Sequence, residues 1–103
     1  MNKLSKPWFV YLIECIDKSI YTGVTVNVAA RYAKHLEGKG ARYTKANPPQ
    51  KILAVFSYPT QSLALKVEYA IKQLTPKEKR RLSAHKSIDL NNLKELINEK
   101  TTH

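Results

Sequence analysis

Phe9-Val10-Tyr11-Leu12-Ile13-Glu14-Cys15 and Ile20-Tyr21-Thr22-Gly23-Val24, followed at once by the segment from Asn27 to His35, decide how this chain folds. Both leading segments are short, rich in β-branched and aromatic residues and bounded by turn formers, so each reads as a strand. Asp17-Lys18-Ser19 between them is short enough for an antiparallel hairpin. Period-two alternation then puts Tyr11 and Tyr21 on one face if they are near cross-strand partners. Gly23 reads as the end of the second strand, where a missing Cβ permits tight backbone or a close approach. Asn27 is a good N-cap for a helix over 28–36, in which Arg31 and His35, four residues apart, share a face. Val28, Tyr32 and Leu36 form the neighbouring apolar stripe. One hairpin and its following helix thus gather two phenols, a guanidinium and an imidazole, a set suited to gripping a phosphodiester.

The composition narrows what such a site would serve. With 103 residues the chain is expected to be one domain, large enough for about three strands with helices packed on them. Eighteen Lys and Arg against eight Asp and Glu give a formal charge of +10, a field that favours polyanions. No apolar run approaches the ~20 residues of a membrane span, and no signal peptide is expected from the residues around Met1 to Lys6. Cys15 is the one cysteine. Lying on a strand, it reads as a reduced core thiol and points to the cytoplasm. No Cys and His cluster has zinc-site spacing.

Beyond Leu36 the chain runs into a basic loop, Glu37 to Gln50, with Gly38-Lys39-Gly40-Ala41-Arg42-Tyr43-Thr44-Lys45 at its centre. Its glycines, cations and tyrosine suit a strap over phosphates and a base, with Lys39, Arg42, Tyr43, Thr44 and Lys45 as candidate nucleic-acid contacts; a solvated connection is the plainer reading. Ile52 to Tyr58 is a third strand, stopped by Pro59, and Thr60 caps a helix over 61–74 with Leu63, Ala64, Val67, Ala70, Ile71 and Leu74 inward. Thr75-Pro76-Lys77-Glu78 is a capping box opening a short basic helix. The tail from Ser87 to Lys100 has Leu90, Leu93 and Ile97 at helical spacing and is expected to fold back on the domain. The expected element order is β-β-α-β-α-α-α, with 1–84 as the main domain and 85–103 as a C-terminal helix and tail packed on it.

Cutting a phosphodiester requires a base for water, positive charge on the phosphoryl oxygens and usually a divalent cation. Mg²⁺ needs only one or two protein carboxylates, because phosphate and water fill its other positions. Between Lys18 and Lys77 the chain offers only Glu37 and Glu68, and Glu68, on a packed helix, is the more rigid ligand. Its plainer role is an ion pair with Lys72 four residues on.

Taken together these residues resemble the GIY-YIG nuclease family over nearly the whole span from Trp8 to Leu74. Val10-Tyr11-Leu12 stands where the family has its first tripeptide and Tyr21-Thr22-Gly23 where it has the second. Arg31 and His35 match the helix signature and Glu68 the acidic metal ligand. The run Tyr21 to Asn27, with Arg31, His35, Gly38, Gly40-Ala41 and Thr44, is most similar to the branch holding Slx-type structure-specific nucleases and small single-domain bacterial proteins. Val10 replaces the first glycine, and Val24 stands where some relatives carry a lysine. No asparagine follows Glu68 until Asn91, and no zinc-binding module is expected after the domain.

The resemblance implies an α/β domain of α+β type, with a three-stranded antiparallel sheet flanked by helices, cutting nucleic acid with one Mg²⁺ or Mn²⁺. It further implies that Tyr11 or Tyr21 helps deprotonate the attacking water, Arg31 steadies the phosphoryl charge, His35 orients a tyrosine or the phosphate, and Glu68 holds the metal. DNA, branched or flapped, is the expected substrate ahead of RNA. Either a partner supplies substrate choice or there is little choice, and the chain is expected to be a monomer or weak dimer off the membrane. A nucleic-acid-binding module with a vestigial or partner-dependent site is the alternative. A third reading is a protein-interaction or membrane-surface domain using Lys77, Lys79, Arg80 and Arg81.

Overall fold

The computed structural model describes residues 6–97. Three strands, β1 (Trp8–Cys15), β2 (Ile20–Thr25) and β3 (Pro49–Tyr58), form one antiparallel sheet in the order β2-β1-β3. The unbroken apolar run of β1 belongs to the central strand, which is buried from Val10 to Cys15. Five helices surround the sheet: α1 (Val28–Leu36), α2 (Arg42–Ala46), α3 (Gln61–Lys72), α4 (Pro76–Leu82) and α5 (Leu93–Ile97). The expected α+β fold and element order hold, with one addition: the basic loop winds into the short helix α2.

Local chemistry accounts for the element ends. Asn27 Oδ1 accepts from the Ala30 N–H at 3.0 Å, Thr60 Oγ1 from Leu63 N–H at 3.1 Å, and Thr75 and Glu78 make a reciprocal capping box with Pro76 at the first helical position. At the hairpin turn Lys18 takes φ 75°, an uncommon conformation for a side-chain-bearing residue. Arg80 holds that turn from α4, donating to the Lys18 carbonyl at 2.7 Å and to Glu14 Oε2 at 2.6 Å. The partly buried guanidinium beside Glu14 holds its carboxyl below the usual carboxylate range.

Alternation along β1 divides the interior in two. Val10 and Leu12 face a large cluster built with Phe56, Tyr58, Ala64, Val67 and Ile71, so α3 covers that face. Tyr11, Ile13 and Cys15 point the other way and pack with Tyr21, Val28 and Tyr32, under α1. The returning tail joins the first cluster through Ile88, Leu93 and Ile97, and Tyr58 donates to the Ile88 carbonyl at 2.8 Å.

Several boundaries differ from the sequence reading. β2 continues past Gly23 to Thr25, and β3 starts at Pro49, pairing with β1 through two register irregularities. α3 ends at Lys72. The tail is helical only over Leu93–Ile97 among the described residues, because Asp89 and Asn92 bond reciprocally side chain to backbone ahead of it. Leu90 is exposed, and the expected continuation to Lys100 lies outside the described residues. Leu36 is 58% exposed while its neighbour His35 is 1% exposed, so the face of α1 that turns inward carries the imidazole.

Candidate functional site

The hairpin register pairs Tyr11 with Gly23 and Ile13 with Tyr21, which sets both phenols on the α1 face as diagonal neighbours. Their ring centroids lie 6.3 Å apart, and His35 completes the group at 5.8 Å from Tyr11 and 5.1 Å, edge-on, from Tyr21. Two glycines make room for this packing. A Cβ at position 23 would occupy the space of the Tyr11 hydroxyl, and one at position 40 that of the His35 ring. Gly23 is therefore required for a close approach within the strand and does not end it.

The buried polar groups form a directed chain. Burial, with the Tyr21 charge adding to it, pushes the Tyr11 phenol up to about 12, although hydrogen bonding and charge from Arg31 pull it down. Tyr11 therefore keeps its proton at neutral pH and donates it to His35 Nε2, 2.9 Å away. His35 Nδ1–H in turn donates to Thr44 Oγ1 at 2.7 Å, and the Thr44 hydroxyl donates to the Ala41 carbonyl at 3.1 Å. This tautomer follows from the requirement that each proton in the chain find an acceptor. Burial, and the charge of Arg31, push the His35 imidazole below its ordinary range, so it is neutral at pH 7. Arg31 also donates to the Gly40 carbonyl at 3.4 Å, tying the α1 face to the loop before α2.

Glu68 approaches from the other layer. α3 covers the face of the sheet opposite α1, yet the charge of Glu68 acts on Tyr11. The two faces meet along the edge strand β2, where one groove is lined by Tyr21 and Tyr43 together with Lys72, the residue one turn beyond Glu68. The Glu68 side chain is 17% exposed, and its Oε2 lies 3.3 Å from the Lys72 ammonium. The plain ion pair expected from the i,i+4 spacing is thus present within the candidate site.

The loop residues separate into three groups. Lys39, Arg42 and Lys45 are exposed and line a shallow depression with Gly38, Gly40 and Ala41, Lys39 lying 3.9 Å from Glu37. Tyr43, 41% exposed, stacks on Tyr21 with centroids 6.1 Å apart and 20° between planes. Thr44 departs from the expectation of a surface contact: it is buried and holds His35. A threonine in a glycine-bearing loop gives no sign of burial, although its place nine residues beyond His35 keeps it within reach.

A fit for a divalent ion can be judged from these donors. Among the described residues no three His, Cys, Asp or Glu side chains cluster to form an all-protein cage. Glu68 alone, rigid on α3 and already holding a cation in the form of the Lys72 ammonium, suits a hard ion that takes its remaining ligands from phosphate and water.

Fold and cleft together define a catalytic domain of the GIY-YIG class. The family model for the GIY-YIG catalytic domain matches residues 7–83, and the chain belongs to this family. It is 48% identical over 77 residues to a UPF0213 protein of Cupriavidus necator, covering 75% of this chain and 84% of that one. Identity to the UPF0213 protein YhbQ of Escherichia coli is 46% over 80 residues, covering 76% and 78%. The NMR structure of the UPF0213 protein BH0048 from Bacillus halodurans is 38% identical, covers 76% of this chain and 83% of that one, and superposes with a TM-score of 0.49. The family domain implies nuclease-type chemistry on nucleic acid, typically with a divalent metal. No helix among the described residues is long and apolar enough to cross a membrane.

Proposed function

We propose that this chain is a metal-dependent endonuclease that hydrolyses phosphodiester bonds in DNA, with branched or flapped DNA as its substrate. The observation that carries this reading is the meeting of Tyr11, Tyr21 and His35 in one cluster, with Arg31 bonded to the Gly40 carbonyl beside it. Glu68 would hold a Mg²⁺ or Mn²⁺ ion, which supplies positive charge to the phosphoryl oxygens and acidifies a water. Arg31 adds a fixed guanidinium beside the phosphate. Of the two phenols, Tyr11 is buried, protonated and committed to His35, which makes it a positioning residue. Tyr21 is half-buried and borders the groove; having given up its own proton to solvent, it would act as the phenolate, with the metal and Arg31 favouring that charge, and take the proton of the attacking water. Lys39, Arg42 and Lys45 would grip the backbone alongside.

The test is nicking of a flapped and a plain duplex with Mn²⁺ or Mg²⁺ by wild type, Glu68→Gln and Arg31→Ala. Cutting by wild type with at least a hundredfold loss in both variants is expected, since the site works as a unit. Equal cutting by all three would assign the activity to a contaminant. The pairing of Glu68 with Lys72 favours one alternative, a nucleic-acid-binding module with an idle site. It would bind DNA with a salt slope of about −0.9 per phosphate and cut nothing.

A further inference from the structure

The groove at the edge of β2 is built unlike the basic depression at the loop. It has a volume of about 430 Å³, in the range that accepts ligand-sized groups. Tyr21 and Tyr43 give it an aromatic wall, and Lys72 and Lys79 reach it from α3 and α4. The Lys79 ammonium bonds the Ile20 carbonyl at 3.3 Å and has no carboxylate partner among the described residues. Burial, and the Lys72 charge, hold that ammonium below its ordinary range, and an anion placed there would pair with it. Independently, Thr22, another lining residue, carries a buried hydroxyl with no hydrogen-bond partner, the only such side-chain atom among the described residues. Buried polar groups are rarely left unpaired without a cause.

We propose that this groove holds the nucleotide adjoining the phosphodiester to be cut, its phosphate between Lys72 and Lys79 and its base against Tyr43. Aromatic walls stack any base, and paired ammonium groups hold a phosphate without reading sequence. An acidic peptide would use the lysines but leave the aromatic wall idle. The assignment rests on the reading of the neighbouring site as one for a nucleic-acid backbone, and it is testable without any cutting.

The probe is 5′-phosphorylated oligothymidylate of eight nucleotides, titrated in EDTA into the full ¹⁵N-labelled chain. Amide shifts at Ile20, Thr22, Lys72 and Lys79 are expected. Lys79→Met should lower the salt slope by about 0.7, one single-strand phosphate, and Lys79→Arg should restore it. Tyr43→Leu should weaken binding by about fivefold or more. An unchanged slope in Lys79→Met, or shifts confined to residues 38–45, overturns the proposal. So does equal binding by a glutamate decapeptide, which would reveal a cation patch and nothing more. Mn²⁺-dependent nicking measured on the same samples separates the two readings. Cutting with an unchanged Lys79→Met slope condemns the groove alone, and groove binding with no cutting by any chain condemns the nuclease alone.

Discussion

Lys72 Nζ lies 3.3 Å from Glu68 Oε2, so the carboxylate proposed to hold the metal already carries a cation. The ammonium is half exposed and easily displaced, since such pairs contribute about 0.2–1 kcal/mol. Removing it should favour the metal. Lys72→Met is expected to tighten Mn²⁺ binding by up to about fivefold in calorimetry. Unchanged or weaker binding would show that Lys72 does not compete at Glu68.

Gly23 carries the Tyr11 phenol against its backbone, and no Cβ fits there. Gly23→Ala must push the ring off His35 Nε2 or open the hairpin, costing about 1–3 kcal/mol of stability. Nicking is expected to fall by more than tenfold while the circular dichroism spectrum stays native. Full activity in a folded Gly23→Ala chain would remove Tyr11 from the site.

His35 is expected to titrate below ordinary histidine in an NMR pH series, because burial and the Arg31 charge disfavour its imidazolium. Its unfolded form, near 6.5, then binds a proton before the folded form does. Stability is therefore full above about pH 6.5 and falls as pH drops toward the folded value. Urea midpoints measured from pH 7.5 to 5 should decline in wild type. In His35→Gln the decline should be smaller. A His35 resonance that titrates in the ordinary range would contradict the burial of a neutral ring.

Thr44 accepts from His35 Nδ1, so Thr44→Val leaves that N–H buried without a partner or turns the tautomer over and strands Tyr11. The expected cost is about 1–3 kcal/mol. The ¹⁵N shifts of the imidazole should change, with both effects rescued by Thr44→Ser. Wild-type stability and shifts in Thr44→Val would show that the threonine does not set the ring.

Much of this fold was legible because its signals are local. Asn27, Thr60 and the Thr75-Pro76-Lys77-Glu78 box cap the helices they announce, and alternation allows Tyr11 and Tyr21 a common face, although their register, Tyr11 opposite Gly23, is set only by the pairing itself. That Arg31 and His35 lie one turn apart on the same helix was readable from their spacing. What stayed hidden depends on tertiary partners. Leu36 is the apolar residue by type, but the packing of α1 turns His35 inward because Tyr11 and Thr44 satisfy both ring nitrogens. α2 could not be seen in a five-residue stretch whose cap, Ala41, has no side-chain acceptor. Gly23 looked like a strand end because the reason for the missing side chain, the Tyr11 phenol, comes from the neighbouring strand. Thr22 and Lys79 carried no sign of a shared groove, since they meet only across the β2 edge.

The central claim is that one cleft places a divalent ion within reach of both phenols and Arg31. Titrating Mn²⁺ into ¹⁵N-labelled chain and following paramagnetic line broadening tests it most directly. Broadening centred on Glu68, Tyr21 and Arg31, abolished by Glu68→Gln, is the result the proposed site requires. Broadening centred on Glu37 or on α5, or unaffected by Glu68→Gln, would contradict it.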